Sequence, residues 1–167
     1  MRNGKGRGAG FTLIELLVVL LILTILMAIT VGVVRGVITK ARATRTDMLV
    51  KQLSVSCEVY KQDFNVYPIG RDSTALHQAL GSPRILVQDH SIPRIMVTKG
   101  PIIEFTLGML EPGAESSAPP PASKIVDAWG NEIRYLNPGV RNRKGVDIWS
   151  DGADSKSEED DLTNWGH

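Results

Sequence analysis

Gly10-Phe11-Thr12-Leu13-Ile14-Glu15 decides how the rest of this chain is read. A glycine closes a short basic leader, an aromatic residue opens a long apolar run, and one carboxylate stands five residues past the glycine. Residues 1–10 hold Arg2, Lys5 and Arg7 and no acid, and residues 16–34 hold no charged side chain. At about 1.5 Å of rise per residue, that run approaches the length a bilayer core demands. An ionised group in hydrocarbon costs roughly a few kcal/mol, so Glu15 is a candidate functional residue by its position alone.

An ordinary secretory signal has an apolar core of about 7–15 residues with a small-residue cleavage site after it. Here the run is longer, no such site follows, and the glycine precedes it. A plain single-span anchor leaves Glu15 without a purpose. Charge counting gives an orientation of its own. Lys and Arg favour cytoplasmic flanks. The leader holds three, but the far flank holds Arg35, Lys40, Arg42, Arg45 and Lys51 against Asp47.

The helix is expected to continue past the membrane. Residues 40–64 contain no proline or glycine, and Leu49, Leu53, Cys57, Tyr60 and Phe64 recur on one face of a 3.6-residue period. Asp63-Phe64-Asn65-Val66-Tyr67-Pro68 ends it, because proline disfavours helix in the residue before it. One helix from Phe11 to about Phe64 follows, apolar all round in its first half and amphipathic in its second. Gly32 and Gly36 stand at the G-x-x-x-G spacing of helix association, a spacing that chance also supplies in an apolar run.

At 167 residues there is room for one domain. Losing the leader would take the net charge from +1 to −2, which carries no nucleic-acid signature. The single cysteine, Cys57, excludes an intrachain disulfide, and its place on the apolar stripe reads as a small buried hydrophobe. Ser73 to Leu80 reads as a short helix capped by Ser73, with Leu76 and Leu80 on one side. Ile85-Leu86-Val87, Ile95-Met96-Val97 and Ile102-Ile103-Glu104-Phe105 read as short strands, and Glu111 to Ser123 as a loop stiffened by Pro119-Pro120-Pro121.

The last third carries a second signal. Val126-Asp127-Ala128-Trp129-Gly130-Asn131-Glu132-Ile133-Arg134-Tyr135 reads as a turn at Gly130-Asn131 leading into a strand, with Gly145-Val146-Asp147-Ile148-Trp149-Ser150 as its antiparallel partner. Asp151-Gly152-Ala153-Asp154 and Leu162-Thr163-Asn164-Trp165 follow. Trp129, Trp149 and Trp165 read as core anchors. His77, His90 and His167 show no metal-ligand spacing and no nucleophile motif is present, so the chain reads as non-enzymatic, with the histidines at the surface or in structural roles.

The two ends together resemble the type IV pilin-like family, and within it the major pseudopilins of type II secretion systems. The first end resembles the prepilin signal, in which a membrane-embedded peptidase cuts after the glycine and methylates the new amino-terminus. The resemblance implies cleavage between Gly10 and Phe11, N-methylation of Phe11, and for Glu15 the family's fifth-position glutamate and a part in assembly. It divides the chain into a leader (1–10), the transmembrane half of the N-terminal helix (11–34) and a periplasmic domain (35–167), with the leader in the cytoplasm. The second end resembles the family's Asp-Pro-Trp-Gly-Asn turn, Asp-Ile-Tyr-Ser strand and Gly-Ala-Asp loop running into Asp-Ile-Thr-Asn-Trp. This chain departs from that pattern at Ala128, Trp149 and Asp151, in a longer 81–123 stretch and in a shorter loop after Asp154.

The implied fold is α+β: a long N-terminal helix, half transmembrane, packed on a small antiparallel sheet with an acidic C-terminal loop. That loop holds Asp147, Asp151, Asp154, Glu158, Glu159, Asp160 and Asp161 against Lys156. Composition alone reads it as solvated. The resemblance implies structural calcium, with Asp154, Asp160 and Asp161 as carboxylate ligands and Asp151 and Ser157 lending main-chain carbonyls. It implies as partners further copies of the chain in a helical homopolymer, minor pseudopilins, the prepilin peptidase, and an inner-membrane assembly platform with its ATPase. The implied function is a periplasmic fibre that exports folded proteins. A subunit of a surface type IV pilus, for adhesion or motility, and a DNA-uptake pseudopilin are the other members of the class.

Overall fold

The computed structural model describes residues 11–88, 95–112 and 123–165, with the side chains of residues 31–33, 87–88 and 95–96 left out. Residues 113–122 of the loop expected from Glu111 to Ser123, and Gly10, His90 and His167, lie outside the described residues. The chain forms two compact units, Met1–Lys40 and Ala41–His167.

A 52-residue helix, α1 (Leu13–Phe64), runs through both units. In the first unit its large apolar side chains are exposed, and α1 is long and apolar enough to cross a membrane. Threonine hydroxyls in this stretch bond back to the helix. The hydroxyl of Thr24 donates to the Leu21 carbonyl and that of Thr30 to the Leu26 carbonyl, each at 2.8 Å. Such bonds let threonine sit in an apolar phase without an orphaned hydroxyl.

In the second unit α1 turns Leu49, Val50, Leu53 and Cys57 into the core, as the 3.6-residue stripe requires. Tyr60 packs against them, and the Phe64 ring meets Tyr60 at a centroid distance of 4.5 Å. The helix stops at Asn65. Its φ of 60° is the left-handed turn that asparagine tolerates, and its N–H donates to the Lys61 carbonyl at 2.7 Å.

A short helix, α2 (Ser73–Gly81), brings Leu76, His77 and Leu80 to the same core. Its cap is Asp72, whose Oδ1 accepts the Ala75 N–H at 2.7 Å, and not Ser73 as the sequence led us to expect. The carboxylate is the stronger acceptor, and Ser73 is used elsewhere. Buried inside the helix, it donates to Glu132 Oε1 at 2.9 Å and accepts the Ile125 N–H.

β1 (Arg84–Gln88) and β2 (Ile95–Lys99) form an antiparallel hairpin in the register Arg84↔Lys99 to Gln88↔Ile95. Arg84 and Lys99 both pair with Asp63 near the end of α1. The strand expected at 102–105 does not form. The N–H groups of Ile102 and Ile103 both donate to the Leu80 carbonyl, so that backbone caps the end of α2 instead of joining a ladder. A three-stranded sheet completes the unit, with β4 (Asp147–Ser150) between β3 (Arg134–Leu136) and β5 (Leu162–Thr163). The expected antiparallel partners pair as Arg134↔Trp149, Tyr135↔Ile148 and Leu136↔Asp147. Long helix plus small antiparallel sheets make the α+β, pilin-like architecture that the sequence implied.

The core is mainly aliphatic; among the described residues Tyr135 is the aromatic ring of its buried cluster, anchored by donating its hydroxyl to the Pro68 carbonyl at 2.6 Å. The tryptophans are not core anchors. Trp129, Trp149 and Trp165 are each half-buried, and Trp149 and Trp165 meet edge to face at 5.7 Å. Small aliphatic side chains from three thin elements already fill the interior, and indole rings that keep a polar N–H favour its rim. Cys57 is fully buried, and burial pushes its thiol up to about 12, which makes it an inert hydrophobe.

Candidate functional site

At the start of α1, Thr12 and Glu15 close on each other. The Thr12 N–H and hydroxyl both donate to Glu15 Oε2 at 2.8 Å, and the Glu15 N–H donates back to Thr12 Oγ1 at 3.3 Å. This is a capping box. It satisfies N–H groups that the first turn of a helix leaves without partners. The Thr-x-x-Glu spacing was visible in the sequence, yet a reading of Glu15 as a charge alone passed over it. Phe11 and Glu15 are both exposed.

At the other end, the Asp127–Asn131 turn holds the base of the acidic loop. Asp127 Oδ1 accepts the N–H groups of Trp129 and Asn131, each at 2.8 Å, and its Oδ2 accepts the Ser150 hydroxyl at 2.7 Å. Ser150 Oγ in turn accepts the Gly152 N–H, while the Asn131 amide donates to the Gly152 carbonyl at 2.8 Å. Gly152 has a φ of 65°, and a Cβ there would meet Asp160, with Oδ2 2.6 Å away. Only glycine fits both the conformation and the space.

The loop folds around Asp160. Its Oδ2 accepts the N–H groups of Ala153 and Asp154 at 2.7 and 3.0 Å, while its Oδ1 is buried with no hydrogen-bond partner. Asp154 keeps an exposed carboxylate. One oxygen accepts the Lys156 N–H at 3.1 Å, and its carbonyl accepts the Ser157 N–H. Ser157 caps a 3-10 turn, Glu158–Asp160, by accepting the Glu159 N–H. The Asp151 side chain is committed elsewhere, to the Trp149 indole N–H at 3.1 Å and the Arg134 guanidinium at 3.3 Å. Asp161 follows the turn directly. Among the described residues, no three His, Cys, Asp or Glu side chains converge as a metal cage.

Two further residues escaped sequence reasoning. Asn164 exchanges backbone-like bonds with Ile148, accepting its N–H on Oδ1 and donating its own N–H to the Ile148 carbonyl, both at 3.0 Å. Its amide also reaches the Val146 carbonyl and Ser54 Oγ of α1, so the tail is clasped to sheet and helix. Asp147, buried beneath the β3–β4 connection, accepts the N–H groups of Val140, Arg141 and Asn142 at 2.6–2.8 Å. No local pattern announces either role, because both depend on backbone brought close by the fold.

Two family models match the chain. The prokaryotic N-terminal methylation motif covers residues 5–31, and type II secretion system (T2SS), protein G covers residues 111–165. No curated protein matches it. The first match spans the prepilin-type leader junction and the apolar start of α1, the second the turn, sheet and acidic loop. With its apolar helix and pilin-like architecture, the chain is therefore similar at both ends to type IV pilin-like proteins of the major-pseudopilin kind.

Proposed function

We propose that this pseudopilin is a structural subunit of a type II secretion pseudopilus. The prepilin peptidase cuts between Gly10 and Phe11 and methylates Phe11. The subunit then polymerises, with minor pseudopilins, on an inner-membrane platform driven by an ATPase. The second unit faces the periplasm, and the growing fibre drives folded proteins outward. The observation that carries this reading is the conjunction on one chain of a prepilin-type start at 5–31 and a protein G end at 111–165. Either alone fits a wider class.

The acidic loop is proposed to take a calcium ion. The donors fit in chemistry, being carboxylate and carbonyl oxygens, which calcium prefers. The buried, partnerless Oδ1 of Asp160 supports this, since an orphaned buried oxygen is what a cation would relieve. Asp154, Asp160 and Asp161 would supply carboxylates, and Asp151 and Ser157 main-chain carbonyls. Bound there, the ion would neutralise loop charge. The chain's own part is to hold the loop base through Asp127, Ser150 and Gly152.

The test is deletion and complementation in the native host. Loss of the chain is expected to stop export of folded substrates, and the Gly10→Val form is expected to remain a full-length membrane precursor that does not restore export. Mass spectrometry should find N-methylated Phe11 at the start of the mature chain. A mature terminus elsewhere overturns the processing, and a deletion strain that exports normally but loses surface fibres overturns the secretion role.

A further inference from the structure

Tyr135 and Ile148 turn their side chains into the core, so their neighbours along the strands, Leu136 and Trp149, stand on the opposite face of the sheet. Thr163 of β5 pairs with Trp149 and continues that face. Leu136, Val140, Arg141, Trp149, Glu158 and Trp165 line a cavity of about 470 Å³ there, within the roughly 300–1,000 Å³ of small-ligand sites.

The walls of this cavity are held by the chain itself. Asp147 accepts the Arg141 N–H at 2.8 Å, Asp151 accepts the Trp149 indole N–H at 3.1 Å, and Trp165 stands edge to face on Trp149. Glu158 opens the 3-10 turn that Ser157 caps. The polar groups are unspent. Among the described residues, the Arg141 guanidinium, the Glu158 carboxylate and the Trp165 indole N–H have no partner. An indole N–H ordinarily finds one when it is buried. A second cavity that also touches Trp149 is different, because there Lys124 pairs with Glu132 and Arg134 with Asp151.

The chemistry selects the occupant. A purely apolar ligand would strip water from a guanidinium and a carboxylate and give nothing back. An anion would meet Glu158, and a cation would meet Arg141. A pyranose ring with equatorial substituents shows apolar C–H faces to an indole and carries a belt of hydroxyls. Those hydroxyls accept from Arg141 and Trp165 and donate to Glu158. We infer that this cavity is a saccharide subsite, which takes a β-linked chain of glucose-type rings against Trp149 and Trp165. Asp161 of the acidic loop also lines the cavity, but the saccharide set does not need it.

The test uses the full-length chain labelled at its indole nitrogens, in a detergent without a sugar headgroup and with calcium held constant. Trp129 does not line the cavity and serves as the internal reference. Millimolar cellotetraose or chitotetraose should shift the Trp149 and Trp165 indole signals to saturation and leave that of Trp129 in place. A response to chitotetraose alone assigns an N-acetylated glycan, and a response to cellotetraose assigns the bare pyranose backbone. Arg141→Ala, which keeps the backbone N–H on Asp147, and Glu158→Ala should each weaken binding about tenfold. Trp165→Phe keeps a ring against Trp149 and should weaken binding through loss of the N–H. No shift with either saccharide, equal shifts at all three indoles, or unchanged affinity in both alanine variants overturns the assignment. Alanyl-alanine satisfies both charges without a sugar's apolar face. The same two shifts from it at the same concentration would make the cavity a peptide site and overturn the proposal.

Discussion

Replacing Asp147 by alanine isolates the buried carboxylate that organises the β3–β4 connection. Its side chain is 2% exposed. Oδ2 accepts the N–H groups of Val140 and Arg141 at 2.6 and 2.8 Å, and Oδ1 accepts that of Asn142 at 2.7 Å. Hydrogen bonds to a charged acceptor contribute about 1.5–3 kcal/mol each when measured singly. They are not additive here, because Val140 and Arg141 are exposed and their freed amides can reach water. A net loss of about 3 kcal/mol is expected, with Asp147→Asn milder at about 2 kcal/mol because one carbonyl oxygen remains. For a domain of this size, roughly 3–5 °C accompanies each kcal/mol, so Asp147→Ala should lower the melting temperature of the Ala41–His167 unit by about 9–15 °C. Circular dichroism measures the shift. Amide exchange at Val140, Arg141 and Asn142 locates it and should quicken there first. A shift under about 3 °C with those amides still protected would refute the reasoning.

Glu15 both caps α1 and carries a charge, and two substitutions separate the roles. Glu15→Gln keeps the capping box while Glu15→Val loses it, and both should be cleaved but fail to form fibres; normal fibres from the glutamine form would assign Glu15 to capping alone. Calcium at millimolar concentration should raise the melting temperature of the second unit relative to chelator, by about 2.7 kcal/mol of added stability at a hundredfold excess over Kd. Magnesium should help less, and Asp161→Ala should remove the difference; equal melting in all cases would leave the acids a solvated tail. Burial holds the His77 imidazole below its ordinary 6.5, so the folded state keeps it neutral while the unfolded chain takes up a proton first. That contribution is complete above pH 6.5 and declines as pH falls below it. His77→Phe should flatten unfolding free energy against pH below 6.5, and an unchanged slope would remove His77 from the account.

What could be read from the sequence was what repeats locally. The apolar run and the Leu49–Leu53–Cys57 stripe draw their signal from residues within a few positions and took their expected form, while the turn expected at Gly130–Asn131 is centred two residues earlier, on Ala128–Trp129. What could not be read depends on distant partners. Ile102 and Ile103 have strand propensity, but the open Leu80 carbonyl claimed their amides. Ser73 fits a cap, but Glu132 and the Ile125 N–H hold it inside the helix, and Asp72 does the capping. At the acidic loop the sequence showed the crowding of carboxylates. It did not show that Asp160 spends one oxygen on the Ala153 and Asp154 amides and leaves the other without a partner.

The β1–β2 hairpin bears on how freely this chain can change length. None of its described residues belongs to the buried core cluster, and Arg84 and Lys99 tie it to Asp63. Because Arg84 and Lys99 are ladder partners, the segment leaves and returns at points roughly 5 Å apart. It is a cassette. A two-residue bridge from Pro83 to Gly100 could replace it, or an epitope or fluorophore loop could be spliced in, without disturbing the aliphatic interior. The stretch lies outside both matched regions, so a change of surface there leaves the matched scaffold untouched.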